Sequence, residues 1–213
     1  GVGRYTVTVH GKAAHAGLDP TAGASAILEL SAVIQALFAL NDHDRGVTVN
    51  VGMVSGGIQP NVVAPESSAV IDVRVLTSAD AEEIDQKIRS LTSSTPGTSL
   101  TVEGGMGRPP LERTPRNAAL LEHALDVAAD MGLHLPEATA GGGSDGNTAS
   151  QVAPTLDGLG AVGDGAHAEH EHVDVPGWVD RTALLAALLL LPPLRQVLDA
   201  PDAVDPLSLV PEP

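Results

Sequence analysis

The stretch 4-RYTVTVHGKAAHAGLDP-20 passes from strict alternation into a run of small residues holding His10 and His15. In 4-RYTVTVH-10 the apolar side chains recur every second residue, the period of a half-buried strand. The following 21-TAGASAILELSAVIQALFAL-40 changes to helical spacing after a Pro-Thr start, so a strand leads into a helix. Further on, 47-VTVNVGMVSG-56 reads as a strand, Gly56, Gly57 and Pro60 mark a turn, and 68-SAVIDVRVL-76 alternates again. Ser78 reads as the N-cap of a helix over 79-ADAEEIDQKIRSLTSS-94, with acids early and bases late. A strand at 98-TSLTVEG-104 closes the series. The order β-α-β-β-α-β predicts a ferredoxin-like unit with one sheet and two helices, α+β in class.

After 107-GRPP-110 the pattern becomes α/β. It gives a helix over 117-NAALLEHALDVAADMG-132, a glycine-rich loop 141-GGGSDGN-147, a short strand near 155-TLDGLGAV-162 and a closing helix. This half is too thin to close its own sheet, so it is expected to form part of a larger layer. The run 183-ALLAALLLL-191 is about half the ~20 residues that span a bilayer and reads as a buried helix stopped by Pro192 and Pro193. The Pro- and Asp-rich residues 196–213 read as a loosely ordered tail.

Composition narrows the partners. The chain has 213 residues, 43% apolar, with a formal net charge of −16. Such charge repels nucleic acid and anionic membrane surfaces, and Tyr5, Phe38 and Trp178 are its only aromatic residues. Small molecules and proteins remain as partners. Without cysteine, thiolate chemistry and Cys-type zinc sites are excluded, leaving His, Asp and Glu as strong metal ligands. No signal peptide or membrane span is legible, which points to the cytoplasm. The chain opens on Gly1 and enters a strand almost at once, so an upstream portion is expected.

Three segments carry candidate chemistry. In 163-GDGAHAEHEHVD-174, three histidines stand among carboxylates, which suits a metal ion and equally a solvated acidic loop. The loop 141–147 could present backbone N–H groups to a carboxylate or phosphate, or be a plain flexible loop. His15 sits among small residues where backbone can approach a ligand, and equally reads as a surface histidine. Glu82 and Glu83, in the first turn of a helix, are explained by the helix dipole.

Taken in order, 11-GKAAHAG-17, 56-GGIQPNVVAP-65, 70-VIDVR-74, the GGGSD loop and GAHAEHEHV resemble the co-catalytic zinc peptidase and deacylase family. That family includes glutamate carboxypeptidase, succinyl-diaminopimelate desuccinylase, acetylornithine deacetylase and aminoacylase, and the resemblance is nearest to the glutamate carboxypeptidase branch. It implies a ferredoxin-like lid and dimerisation domain over 1–106 and the C-terminal part of a three-layer zinc-hydrolase domain over 107–195. It implies a homodimer through the lid, two zinc ions in the complete enzyme, and hydrolysis of an amide next to a free carboxylate in a peptide or N-acyl amino acid.

By position, His15 matches the lid histidine that donates to the oxyanion in the partner subunit's site, and Asn61 the asparagine beside it. Arg74 matches the arginine that grips the substrate carboxylate, with Gly143 and Ser144 completing that grip. His167 matches the last metal ligand. The family's remaining ligands and its general base are expected upstream of Gly1, so this chain alone is expected to be inactive. The alternative is a non-catalytic dimerising module that binds a small carboxylate.

Overall fold

The computed structural model describes residues 1–190, which form two compact units: residues 1–110 with 141–143, and residues 111–140 with 144–190. In the first unit the order is β1 (Val2–His10), α1 (Ala26–Phe38), β2 (Thr48–Gly56), β3 (Glu66–Arg74), α2 (Ser78–Arg89) and β4 (Ser99–Arg108). The four strands make one antiparallel-paired sheet in the order β2-β3-β1-β4. This is the ferredoxin-like arrangement expected from the β-α-β-β-α-β pattern.

Alternation decides which face is covered. Tyr5, Val7 and Val9 of β1 and Ala69, Ile71 and Val73 of β3 are buried under the helices, with Val47 and Val49 beside them. The intervening Arg4, Thr6, Thr8, Asp72 and Arg74 lie on the opposite, polar face. From α1, Ala26, Leu30, Val33 and Leu37 enter the same core, at the spacing of one helical face. From α2, Ile84 and Ile88 do so. Tyr5 keeps its hydroxyl satisfied by donating to Asp85 Oδ1 at 2.8 Å.

Element boundaries differ from the sequence reading for local reasons. Residues Pro20–Ala22 form a single 3₁₀ turn, and α1 starts only after Ser25, whose Oγ accepts from the Leu28 N–H at 3.2 Å. The N-cap of α2 is Thr77, not Ser78, because the Thr77 hydroxyl accepts from the Asp80 N–H at 3.0 Å. The same helix ends at Arg89 rather than at residue 94, since the backbone N–H groups of Ser94 and Thr95 are taken by the carboxylate of Glu29. β4 runs on to Arg108, past the glycines, with a register shift opposite Val2 and Gly3.

The second unit holds α3 (Pro115–Asp130), the single turn α4 (Gly146–Ala149), the short pair β5 (Gly163–Asp164) and β6 (His172–Val173), and α5 (Val175–Leu190). The expected strand over 155–162 is not formed. That segment is irregular, with Gly158 at φ 74, and pairing begins only at Gly163. The closing helix is present, but its reading as a buried helix is corrected: Leu184 is buried while Leu189 and Leu190 are 77% and 86% exposed. Helical spacing within an all-apolar run does not say how much of its circumference is covered. No helix among the described residues is long and apolar enough to cross a membrane. Pro192, Pro193 and the tail 196–213 lie outside the described residues.

Candidate functional site

The loop bearing His15 is pinned on both sides. Gly11 donates to Pro65 O at 2.7 Å, and Lys12 and Ala24 exchange backbone hydrogen bonds of 2.8 and 2.9 Å. A Cβ at Gly11 would stand 2.2 Å from Ala24 O, so this close approach requires glycine. Val63 N–H then donates to Ala14 O and Ala16 N–H to Asn61 O, both at 2.9 Å, around an antiparallel bridge between His15 and Val62. His15 and Asn61, about fifty residues apart in sequence, are therefore carried side by side on paired backbone, both exposed.

The His15 ring is oriented as well. Its Nδ1 accepts from the N–H groups of Gly17 at 3.1 Å and Leu18 at 3.2 Å. A nitrogen that accepts two backbone donors carries no proton, so in the neutral ring the proton resides on Nε2. His15 thus offers an N–H donor from an exposed ring whose other nitrogen is tied down.

Arg74 ends β3 on the polar face. Its Nε and Nη2 donate to the two carboxylate oxygens of Asp72, at 2.7 and 3.0 Å, and Nη1 donates to Gly141 O at 3.2 Å. Hydrogen bonding to Asp72 holds the guanidinium pKa above its ordinary value against partial burial. Arg74 lines an open concavity of about 1140 Å³ with Arg4, Arg89, Arg108 and Gly143, large enough for a small-molecule ligand. Four arginines line this concavity together with the carboxylates Glu82 and Asp85, and two of the arginines are already paired, Arg74 with Asp72 and Arg89 with Asp85.

Ser144 is engaged within its own loop. Its N–H donates to Asn147 Oδ1 at 2.8 Å, its Oγ pairs with the Asp157 carboxylate, and that Oγ accepts from the Gly146 N–H at 3.1 Å. The loop 141–147 is therefore tied by side chains at Ser144 rather than presenting that N–H outward.

His167 lies in a tight turn closed by Ala168 N–H to Gly165 O at 2.8 Å. Among the described residues it is the non-glycine residue with positive φ, 66°, a conformation that costs free energy and persists where the surroundings impose it. Of its neighbours, His172 Nδ1 is 3.1 Å from His170 O, and Asp174 caps α5 by accepting from the Gly177 N–H at 2.9 Å. Among the described residues no group of three His, Asp or Glu side chains is placed to hold a metal ion. These residues by themselves do not fit a zinc site.

Two residues were missed in the sequence. Asp72 stands two positions before Arg74 and so on its face, a signal present in the alternation of 70-VIDVR-74. Glu29 falls on the apolar face of α1, between Ala26 and Leu30, and is 1% exposed. Its carboxylate accepts from Ser94 N–H, Ser94 Oγ and Thr95 N–H at 3.0, 3.0 and 2.7 Å, which joins α1 to the loop after α2.

Comparison with known proteins covers both units. Residues 1–98 match the model of the peptidase dimerisation domain, M20_dimer. Carboxypeptidase G2 of Pseudomonas sp. (strain RS-16) is 25% identical over 196 residues, which are 90% of this chain and 47% of the relative. Protein YqjE of Bacillus subtilis (strain 168), itself uncharacterised, is 29% identical over 190 residues, 87% of this chain and 50% of its own length. Aminopeptidase PepT from Bacillus cereus ATCC 10987 shares the fold with a TM-score of 0.70 at 23% identity, over 88% of this chain and 50% of that one. The chain spans about half the length of these relatives.

Proposed function

Since residues 1–98 are a dimerisation domain of the M20 peptidases, we propose that the chain is the lid and C-terminal part of a hydrolase that cleaves an amide beside a free carboxylate. The lid extends over 1–106 and the catalytic part over 107–195. The single observation that carries this reading is the pinned His15 loop, in which Nδ1 is held by Gly17 and Leu18 and Nε2–H is left to donate. An amide hydrolase must stabilise a tetrahedral oxyanion, and a fixed N–H donor in an exposed ring is suited to it. Asn61, on the paired strand-like segment, stands beside it.

Arg74 supplies the second requirement, an anchor for the carboxylate that marks an exopeptidase or N-acyl amino acid substrate. Gly143 borders it in the same concavity, and Ser144 fixes the loop that carries Gly143. His167, held in its strained turn, is assigned as one ligand of a two-zinc centre in the whole protein. The hydrolytic step belongs to that whole protein, a homodimer through the lid.

The test is an assay of the full-length protein against N-acyl amino acids and dipeptides, each paired with its C-terminal amide. Acids should be hydrolysed and amides spared. Equal turnover of both, or of neither, overturns the assignment. Retained binding of the acids without turnover would favour a dimerising carboxylate-binding module.

A further inference from the structure

The Arg74 guanidinium does not stand free to meet a ligand; it is already gripped by a carboxylate of its own strand. Nε and Nη2, the two donors on one side of the guanidinium plane, meet Oδ1 and Oδ2 of Asp72 in a bidentate pair. A guanidinium has five N–H donors. Asp72 takes one from Nε and one from Nη2, and Gly141 O takes one from Nη1. One hydrogen remains on each terminal nitrogen. Those two hydrogens are the donor capacity the guanidinium keeps for a second carboxylate.

Charge around this pair is consistent with a receptor for an anion. Arg4 stands opposite Asp72 in the β1–β3 register, and Arg108 and Arg74 flank Val2 in neighbouring strands. Glu82 and Asp85 border the same concavity, and Asp85 pairs with Arg89, so with Asp72 counted the arginines there outnumber the carboxylates by one.

Resting on the assignment of Arg74 as the carboxylate anchor, we infer that Asp72 is a positioning residue, holding Arg74 side-on so that its terminal edge is presented to the ligand carboxylate. A lone arginine would lose rotamer freedom on binding, whereas this one is ordered beforehand. The carboxylate also opposes an incoming anion. Positioning and repulsion therefore predict opposite signs when the charge of Asp72 is removed.

The experiment is an NMR titration of the 213-residue chain with N-acetylglycine, followed on the Arg74 Nε–Hε signal and on nearby amides. In the unliganded wild type that signal should be protected from solvent exchange, with hindered guanidinium rotation. Asp72→Asn, which is isosteric and on the polar face, should weaken binding about tenfold, as loss of a charge-assisted bidentate partner implies. Asp72→Glu should recover affinity to within about threefold, because it restores the paired acceptor.

Equal or tighter binding by Asp72→Asn overturns the inference, and so does a freely rotating Arg74 in the wild type. Arg74→Ala separates the two levels. Binding that depends on Arg74 but not on Asp72 removes this inference alone. Binding indifferent to Arg74, or absent from the wild type, removes the anchor assignment and the inference with it.

Discussion

Arg74 and His15 stand at opposite ends of one strand pair. Arg74 is paired with Val2 at the start of β1, whereas His15 follows the far end of that strand, where His10 is paired with Glu66. Eight residue steps at ~3.3 Å each separate the two ends by roughly 26 Å. An amide and its neighbouring carboxylate are a few ångströms apart, so one copy of the lid cannot bring both residues to one substrate molecule. If both serve the same reaction, they come from different copies.

The sheet edge offers a place for that second copy. β2 is an outer strand, and on it Met53 and Val54 are 68% and 59% exposed. Ile27 and Leu28 of α1 are exposed nearby, Ile27 Cδ1 lying 3.2 Å from where a Cβ on Gly57 would be. An exposed apolar edge strand pairs readily, and a lysine there blocks pairing. On the proposed dimerisation through the lid, the wild-type chain should sediment as a dimer at micromolar concentration and the double variant Met53→Lys, Val54→Lys as a monomer with its far-UV spectrum unchanged. An unaltered dimer would place the contact elsewhere.

Glu29 makes the first unit sensitive to acid. Burial pushes its carboxyl pKa up, but the hydrogen bonds from Thr95 and Ser94 outweigh burial and hold it below its ordinary 4.5. A carboxyl with a lowered folded pKa contributes stability that is complete above the unfolded value and is lost as pH falls through the folded one. Urea titrations should therefore show a falling unfolding free energy below about pH 4.5. Glu29→Ala should cost about 1–2 kcal/mol at pH 7, since it removes a buried acceptor and leaves the partly buried N–H groups of Ser94 and Thr95 to water. Loss of stability on acidification should be smaller in that variant.

His167 separates stability from metal chemistry. Its φ of 66° suits glycine, so His167→Gly should change the unfolding free energy by less than ~1 kcal/mol. In the full-length protein the same variant should weaken zinc binding and lower turnover. The 213-residue chain itself, with zinc or cobalt added, should show no turnover of N-acyl amino acids above a buffer blank, because one histidine cannot hold a catalytic ion. Turnover by this chain would relocate the active site.

The lid was legible because its signal is periodic. Tyr5, Val7 and Val9 mark a covered face by alternation alone, and the change to helical spacing before Leu30 and Val33 marks the crossover. Asp72 and Arg74 follow from the same period, since residues two apart on a strand share a face. Glu29 was not legible. A carboxylate on an apolar helix face is satisfied only by the loop at Ser94 and Thr95, which no local pattern links to it. In the second unit, the exposure of Leu189 depends on what packs against α5, and spacing says nothing of that. Motif order placed His15 and Arg74 by resemblance; only the register showed how far apart they lie.

The separation of His15 from Arg74 gives a direct test of shared sites in the full-length enzyme. His15→Ala should lower kcat by ~10²–10³, the usual cost of one oxyanion donor, with little change in KM. Arg74→Ala should chiefly raise KM, the effect expected of the proposed anchor, whose grip on a carboxylate would already be made in the ground state. At substrate concentrations well below the raised KM, each variant alone is nearly inactive. Mix the two in equal amounts and allow subunits to exchange. If each site takes Arg74 from one subunit and His15 from the other, a mixed dimer has one site carrying both lesions and one carrying neither. Half the dimers are mixed, so about a quarter of wild-type activity should return. If both residues served the site of their own subunit, every site would keep one lesion and activity would stay at the level of the separate variants. Activity that stays there after exchange is verified by mass-tagged subunits would refute the trans arrangement while leaving the fold and the separate kinetic roles intact.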